Sequence, residues 1–182
     1  MKKVVLIFGI IAGIIVSSMM FITFPSSADE INFEGGELLG YSTMIIAFST
    51  IFFAIRAYRE KYADGVIKFG KAFLIGLYIT LIASAMYVAS WELITDENNR
   101  AEFMKEYSAY TVKKMVENET PQAKIDLTIQ EMQDFSEMYK NIWVRIPLTL
   151  MEILPVGLLV TLICSAILFK KPVDGTPDEI LA

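Results

Sequence analysis

Residues Phe69 to Trp91 read FGKAFLIGLYITLIASAMYVASW, with Lys71 as their single charge. A helix rises about 1.5 Å per residue, so about 20 apolar residues cover the roughly 30 Å hydrocarbon layer of a bilayer. This stretch is long enough to cross. Three further runs match it: Val4 to Phe24, Leu38 to Tyr58 and Ile146 to Phe169. A segment surrounded by lipid must satisfy its own backbone hydrogen bonds, which a helix does within one segment. A barrel would instead show alternating segments of about ten residues, and none are present. The pattern predicts an all-α, polytopic membrane protein: a four-transmembrane-helix bundle with an external helical hairpin between its third and fourth helices.

Composition agrees. The mean hydropathy is +0.49, and 54% of the 182 residues are apolar, which places the chain in the membrane class. There is no histidine and one cysteine, Cys164. A Cys/His zinc site, a Ser-His-Asp triad and an intramolecular disulfide are therefore excluded, and no cofactor is expected. The net charge of −5 argues against nucleic acid as a partner.

The distribution of charge predicts orientation. Lys2 and Lys3 precede the first run, Arg56, Arg59, Lys61, Lys68 and Lys71 gather between the second and third, and Lys170 and Lys171 follow the fourth. By the positive-inside rule these lie in the cytoplasm. The first connection, Pro25 to Glu37, holds four acids and no base, and the segment from Glu92 to Arg145 holds eleven acids against seven bases. Both face outward, and both termini are cytoplasmic. Residues 1–171 form one membrane domain, with an external insertion over about 96–142, and 172–182 form a cytoplasmic tail. Ser26-Ser27-Ala28 after the first run imitates a signal-cleavage site, but the run exceeds the usual core of about 7 to 15 residues. The first helix is expected to be retained.

Small residues recur at every fourth position: Gly9, Gly13 and Ser17; Ala72, Gly76, Thr80 and Ser84; Gly157, Thr161 and Ser165. At that spacing they let helix backbones approach closely in lipid, where packing drives association. Whether Gly9 and Gly13 meet a neighbour inside the chain or a second copy is open from sequence. In the external segment, Phe103, Tyr107, Tyr110 and Met115 mark one amphipathic helix. Thr120 as N-cap and Pro121 as first helical residue then open a second, carrying Ile125, Ile129, Met132, Phe135, Tyr139 and Ile142. The second arm is expected to run almost directly into the fourth apolar helix, bent near Pro147.

Glu152 is the leading candidate for chemistry, since an ionisable group inside an apolar helix is costly and is expected to face protein or water. Pro155 frees the carbonyl of Met151 nearby. Tyr41 and Tyr87 are the hydroxyls expected at its depth. The group is either a hydrogen-bonded structural carboxyl or a small proton or cation site. Arg59, Lys61, Lys68 and Lys71 are candidate contacts for anionic lipid headgroups. Cys164 is expected to be a packing residue.

These same residues resemble a bacterial four-helix membrane family known as domain-of-unknown-function family 4199. The resemblance rests on Gly40-Tyr41 with Met44 to Ser49, on Tyr58-Arg59 and Lys61, on Phe69-Gly70-Lys71-Ala72-Phe73 with Gly76, on Ile82-Ala83-Ser84 and Tyr87, and on Glu152 to Gly157. It covers nearly the whole chain up to Lys171, least closely in the external segment. It implies a small inner-membrane protein that keeps its first helix, and it brings no activity. Function is thus expected to be non-enzymatic: assembly, lipid interaction or envelope maintenance, in contact with the bilayer and with a second copy or another membrane protein. The main alternative is a proton, cation or solute carrier or channel component using Glu152. An intramembrane enzyme ranks third, because a lone carboxyl has neither nucleophile nor metal partner.

Overall fold

The computed structural model describes residues 1–23 and 33–170. The Ser26-Ser27-Ala28 site, most of the first connection, Lys171 and the 172–182 tail lie outside the described residues. Among the described residues six helices follow one another: α1 (Lys2–Thr23), α2 (Phe33–Tyr62), α3 (Phe69–Ile94), α4 (Glu97–Glu117), α5 (Gln122–Tyr139) and α6 (Ile142–Leu168). Helices α1, α2, α3 and α6 are long and apolar enough to cross a membrane. The fold is all-α.

All four helices extend beyond the limits of their apolar runs, α1 by starting at Lys2 rather than Val4. Helix α2 begins at Phe33 rather than Leu38 and ends at Tyr62 rather than Tyr58, α3 continues to Ile94, and α6 begins at Ile142 rather than Ile146. Backbone hydrogen bonding does not stop where side chains turn polar. Arg59 and Lys61 in the last turn of α2 also suit the negative end of its dipole. The second arm does not run on unbroken: α5 ends at Tyr139 and α6 starts at Ile142, ahead of Pro147. Asn141 caps α6 by accepting from the Trp143 N–H at 3.0 Å, and Pro147 lies within the helix.

The packing of the apolar helices can be read from pairs of residues. Gly9 and Gly13 of α1 meet Ile82 and Met86 of α3, so these two helices run parallel. Gly76 of α3 meets Thr161 of α6, and Gly157 of α6 meets Thr80 of α3, so this pair is antiparallel. Helix α2 inserts Ile51 beside Gly76 and Phe48 beside Gly157. The small-residue stripes of all three helices are buried, which places Gly9 and Gly13 inside the chain. At the α3–α6 crossing the buried hydroxyls of Thr80 and Thr161 lie 3.3 Å apart and share a hydrogen bond. Phe48, Ile51, Ile55, Ile75, Ile79 and Ile153 fill the centre, each under 2% exposed.

The opposite faces are equally apolar. Phe21 is 66% exposed, Ile46 62% and Ile167 65%. A helix apolar all round needs an apolar surrounding, and a bilayer would supply one for this girdle.

The hairpin between α3 and α6 is built by caps. Asp96 accepts from the Asn99 N–H at 2.7 Å and starts α4. At its far end Asn118 closes α4, and Glu119 turns into the left-handed region at φ 53°. The N–H groups of Glu119 and Thr120 return to the carbonyls of Val116 and Met115 at 3.0 and 2.9 Å. Pro121 then takes the cap position of α5, one residue later than the sequence suggests, because the return bond to Met115 uses Thr120. Helix α4 is fastened to the apolar body by rings: Phe33 of α2 stands 5.4 Å from Tyr110 and 5.6 Å from Phe103. Helix α5 packs on α4 and on α6.

Candidate functional site

Glu152 sits beside the α3–α6 seam. The stripe Thr149, Ile153, Gly157 and Thr161 of α6 is buried, and Glu152 is displaced from it on the helical wheel, so its side chain stands at the edge and the residue is exposed on the isolated protein. Its partner is Tyr87, whose hydroxyl donates to Oε1 at 3.2 Å. Tyr87 itself is only 9% exposed. Tyr41 is 46% exposed, and among the described residues no hydrogen bond joins it to Glu152. Pro155 lies on the exposed side of α6. Of the four residues proposed for this site, geometry therefore joins Glu152 and Tyr87. Among the described residues the buried hydroxyls of Ser84 and Ser165 have no hydrogen-bond partner.

A stronger polar cluster lies at the base of the hairpin, about 10 Å further along α6 by helical rise. Arg145 holds Glu92 through two parallel bonds, Nε to Oε1 at 2.6 Å and Nη2 to Oε2 at 2.7 Å. Its remaining nitrogen, Nη1, donates to the carbonyls of Tyr139 and Lys140 at 2.9 and 3.2 Å. One side chain thus joins the end of α3, the end of α5 and the second turn of α6, and it is 4% exposed. The fork of a guanidinium suits this double grip, where a lysine would offer only a point charge. Arg100 does the same for α3: its Nη1 donates to the carbonyl and hydroxyl of Thr95 at 2.5 and 3.0 Å, 3.9 Å from Glu92. Two arginines cap two helix ends and share one carboxylate. Tyr139 lies over Arg145 with ring and guanidinium 5.8 Å apart, and burial holds its phenol above the ordinary tyrosine range. Between α4 and α5, next to this cluster, is a cleft of about 290 Å³.

Sequence reasoning passes over Glu92 and Arg145 because they lie far apart in the chain. A signal was available. Each stands at the hairpin-side limit of an apolar run, with opposite charge, where two helix ends must meet if the intervening hairpin is compact.

At the other end the basic residues have mixed fates. Arg59 Nη1 donates to the Leu168 carbonyl at 3.2 Å and so caps the end of α6. Lys170 N–H donates to the Ile67 carbonyl at 2.9 Å beside it, tying the α2–α3 turn to the chain that follows α6. Lys61, Lys68 and Lys71 remain exposed, and Arg56 pairs with Glu60 on its own helix at 2.9 Å. Cys164 is 7% exposed and packs in the core. Among the described residues no group of three acidic, cysteine or histidine side chains converges on a point where a metal could sit.

The class these features define is an all-α protein with four membrane-length apolar helices and a polar helical hairpin set between the third and fourth. The chain belongs to the family described as "Protein of unknown function (DUF4199)", whose model matches residues 7–170. No curated protein and no solved structure matches it.

Proposed function

We propose that this chain is a non-enzymatic protein of a bacterial cytoplasmic membrane, crossed four times by the bundle of α1, α2, α3 and α6, with both termini in the cytoplasm. Its working part is the α4–α5 hairpin, held outside the membrane to engage lipid or another membrane protein. The observation that carries this reading is the Glu92–Arg145 pair, which fixes the hairpin to the ends of α3 and α6 instead of leaving it a loose connection. The filled centre around Phe48, Ile79 and Ile153 supports it further, since a carrier needs a path that side chains of this size block. A second reading, a proton or cation carrier, draws on the Glu152–Tyr87 hydrogen bond.

Proteoliposomes with an internal pH dye separate the two. The hairpin reading expects no proton or potassium flux above empty vesicles. Flux that Glu152→Gln abolishes would overturn it in favour of the carrier. Cysteine labelling in intact cells tests the orientation: position 110 should react from outside and position 64 should not.

A further inference from the structure

The cleft at the base of the hairpin is lined by charged groups that, counted with Glu92 and Glu137, balance in number but are not all joined in ion pairs. Arg145 and Arg100 face one carboxylate, Glu92, so within that trio one positive charge is left over. All three nitrogens of Arg145 are engaged, whereas among the described residues Arg100 uses Nη1 alone and has no hydrogen bond from Nε or Nη2. Lys140 is answered by Glu137 at 2.7 Å. Glu97 lines the same cleft and has no ion pair among the described residues. Asn98 and Ser136 also line it, and their side chains make no hydrogen bond among the described residues. The cleft therefore offers the free edge of Arg100 and a carboxylate, Glu97, that reaches Arg145 only through its field and not through an ion pair, with Asn98 and Ser136 on the same lining.

That pattern suits a zwitterion. A phosphodiester would take the free edge of the Arg100 guanidinium, where charge-assisted bonds to phosphate are strong. A primary ammonium attached two carbons away would take the Glu97 carboxylate. A net-anionic headgroup would meet the Arg100 charge and then the repulsion of Glu97. A quaternary ammonium is recognised by a cage of aromatic faces, and Tyr139 is the single ring lining the cleft.

Location points to the source. The cleft lies immediately beyond the end of α3 at Ile94 and the start of α6 at Ile142. Leu93 is 86% exposed and Trp143 82%, an apolar side chain and an indole of the kind that settle at the headgroup layer. We propose that the hairpin base binds the phosphoethanolamine group of a membrane lipid, with phosphate on Arg100 and ammonium on Glu97. The inference rests on the membrane reading above, but not on which partner the rest of the hairpin serves.

The test is native mass spectrometry of the full-length protein in detergent. It is offered phosphatidylethanolamine, phosphatidylglycerol and phosphatidylcholine with identical acyl chains. The wild type should retain the ethanolamine lipid at least tenfold better than the other two. Glu97→Gln, an exposed substitution that leaves the arginines in place, should remove that preference, while Arg100→Gln should weaken retention of all three. Lys71→Gln, at the opposite end of α3, should change nothing. Soluble phosphoethanolamine, added as competitor, distinguishes the sources: displacement at equal concentration assigns the same site to the free compound, and none assigns it to the lipid. Equal retention of ethanolamine and glycerol lipids, or a preference unchanged in Glu97→Gln, would overturn the proposal. Either outcome would leave the expected results of the labelling and flux experiments unchanged.

Discussion

Replacing Gly157 with alanine tests the packing of the α3–α6 crossing most directly. A β-carbon at that position would overlap the Thr80 methyl and stand 2.9 Å from Phe48 Cζ and 3.0 Å from Thr80 Oγ1. Phe48 is fully buried and has no free space to retreat into. Thr80 could turn away only by breaking its 3.3 Å bond to Thr161. Overpacking of this kind costs about 1–3 kcal/mol, and an interhelical hydrogen bond in a membrane protein adds about 0.6 kcal/mol. Against this, alanine gains about 0.5–1 kcal/mol over glycine in a helix. The expected net loss is about 0.6–3 kcal/mol by that reckoning. The same change at Gly70, where nothing lies within 4 Å, carries no steric term and should be neutral or slightly stabilising. Gly13→Ala should fall between them, because the obstructing atoms belong to the flexible Met86 side chain. Reversible unfolding in bicelles by steric trapping gives the free energies. If Gly157→Ala matches the wild type, or if Gly70→Ala loses as much, the close crossing is not what holds these helices together.

Three other outcomes are expected. Arg145→Met leaves Glu92 without its main partner, at a cost of about 2–3 kcal/mol, below the fully buried range because the Glu92 side chain keeps 22% exposure; Glu92→Gln/Arg145→Met should recover most of it, and single variants within about 0.5 kcal/mol of wild type would reduce the pair to a surface contact. Glu119→Gly relieves a left-handed backbone and should stabilise the hairpin by about 0.5–1 kcal/mol, a gain that must appear as slower proteolysis at the tip if the turn is as described. Burial raises the folded-state pKa of Tyr139 above its ordinary value of 10.0, so its contribution is complete below about pH 10 and is lost as pH rises further; an alkaline stability curve identical in Tyr139→Phe would remove that assignment.

Much of this fold is written in local patterns. Four apolar runs identify four helices, and the spacing of Gly76, Thr80 and Ser84 anticipates the face that meets α6. Aromatic spacing and Thr120-Pro121 locate the hairpin and its tip within a residue. What the runs conceal is where helices stop, since Phe33 and Ile142 start helices by hydrogen bonding and ring contacts rather than by apolarity. The orientation of Glu152 needed a finer look at its helical position, off the Thr149–Ile153–Gly157 stripe. The Glu92–Arg145 pair depends on the return of the chain after two intervening helices, and no short-range pattern encodes such a meeting.

The order of the helices along the chain has a consequence for biosynthesis. Helices α1 and α3 can pair as soon as both have entered the bilayer, but the other face of α3 waits for α6. Between them the ribosome must make the whole of α4 and α5, which at about 5–20 residues per second takes several seconds. Throughout that interval Gly76, Thr80 and Ser84 line an open seam, with the threonine hydroxyl still without Thr161. A nascent chain in this state leaves unburied the surface that α6 will cover, and incompletely packed chains of this kind are what chaperones and proteases act on. Completion of α6 conceals it, and Arg59 then closes over the last carbonyl of that helix. Truncations that remove α6 should therefore be degraded faster than those that remove the hairpin, although the hairpin is the more exposed of the two.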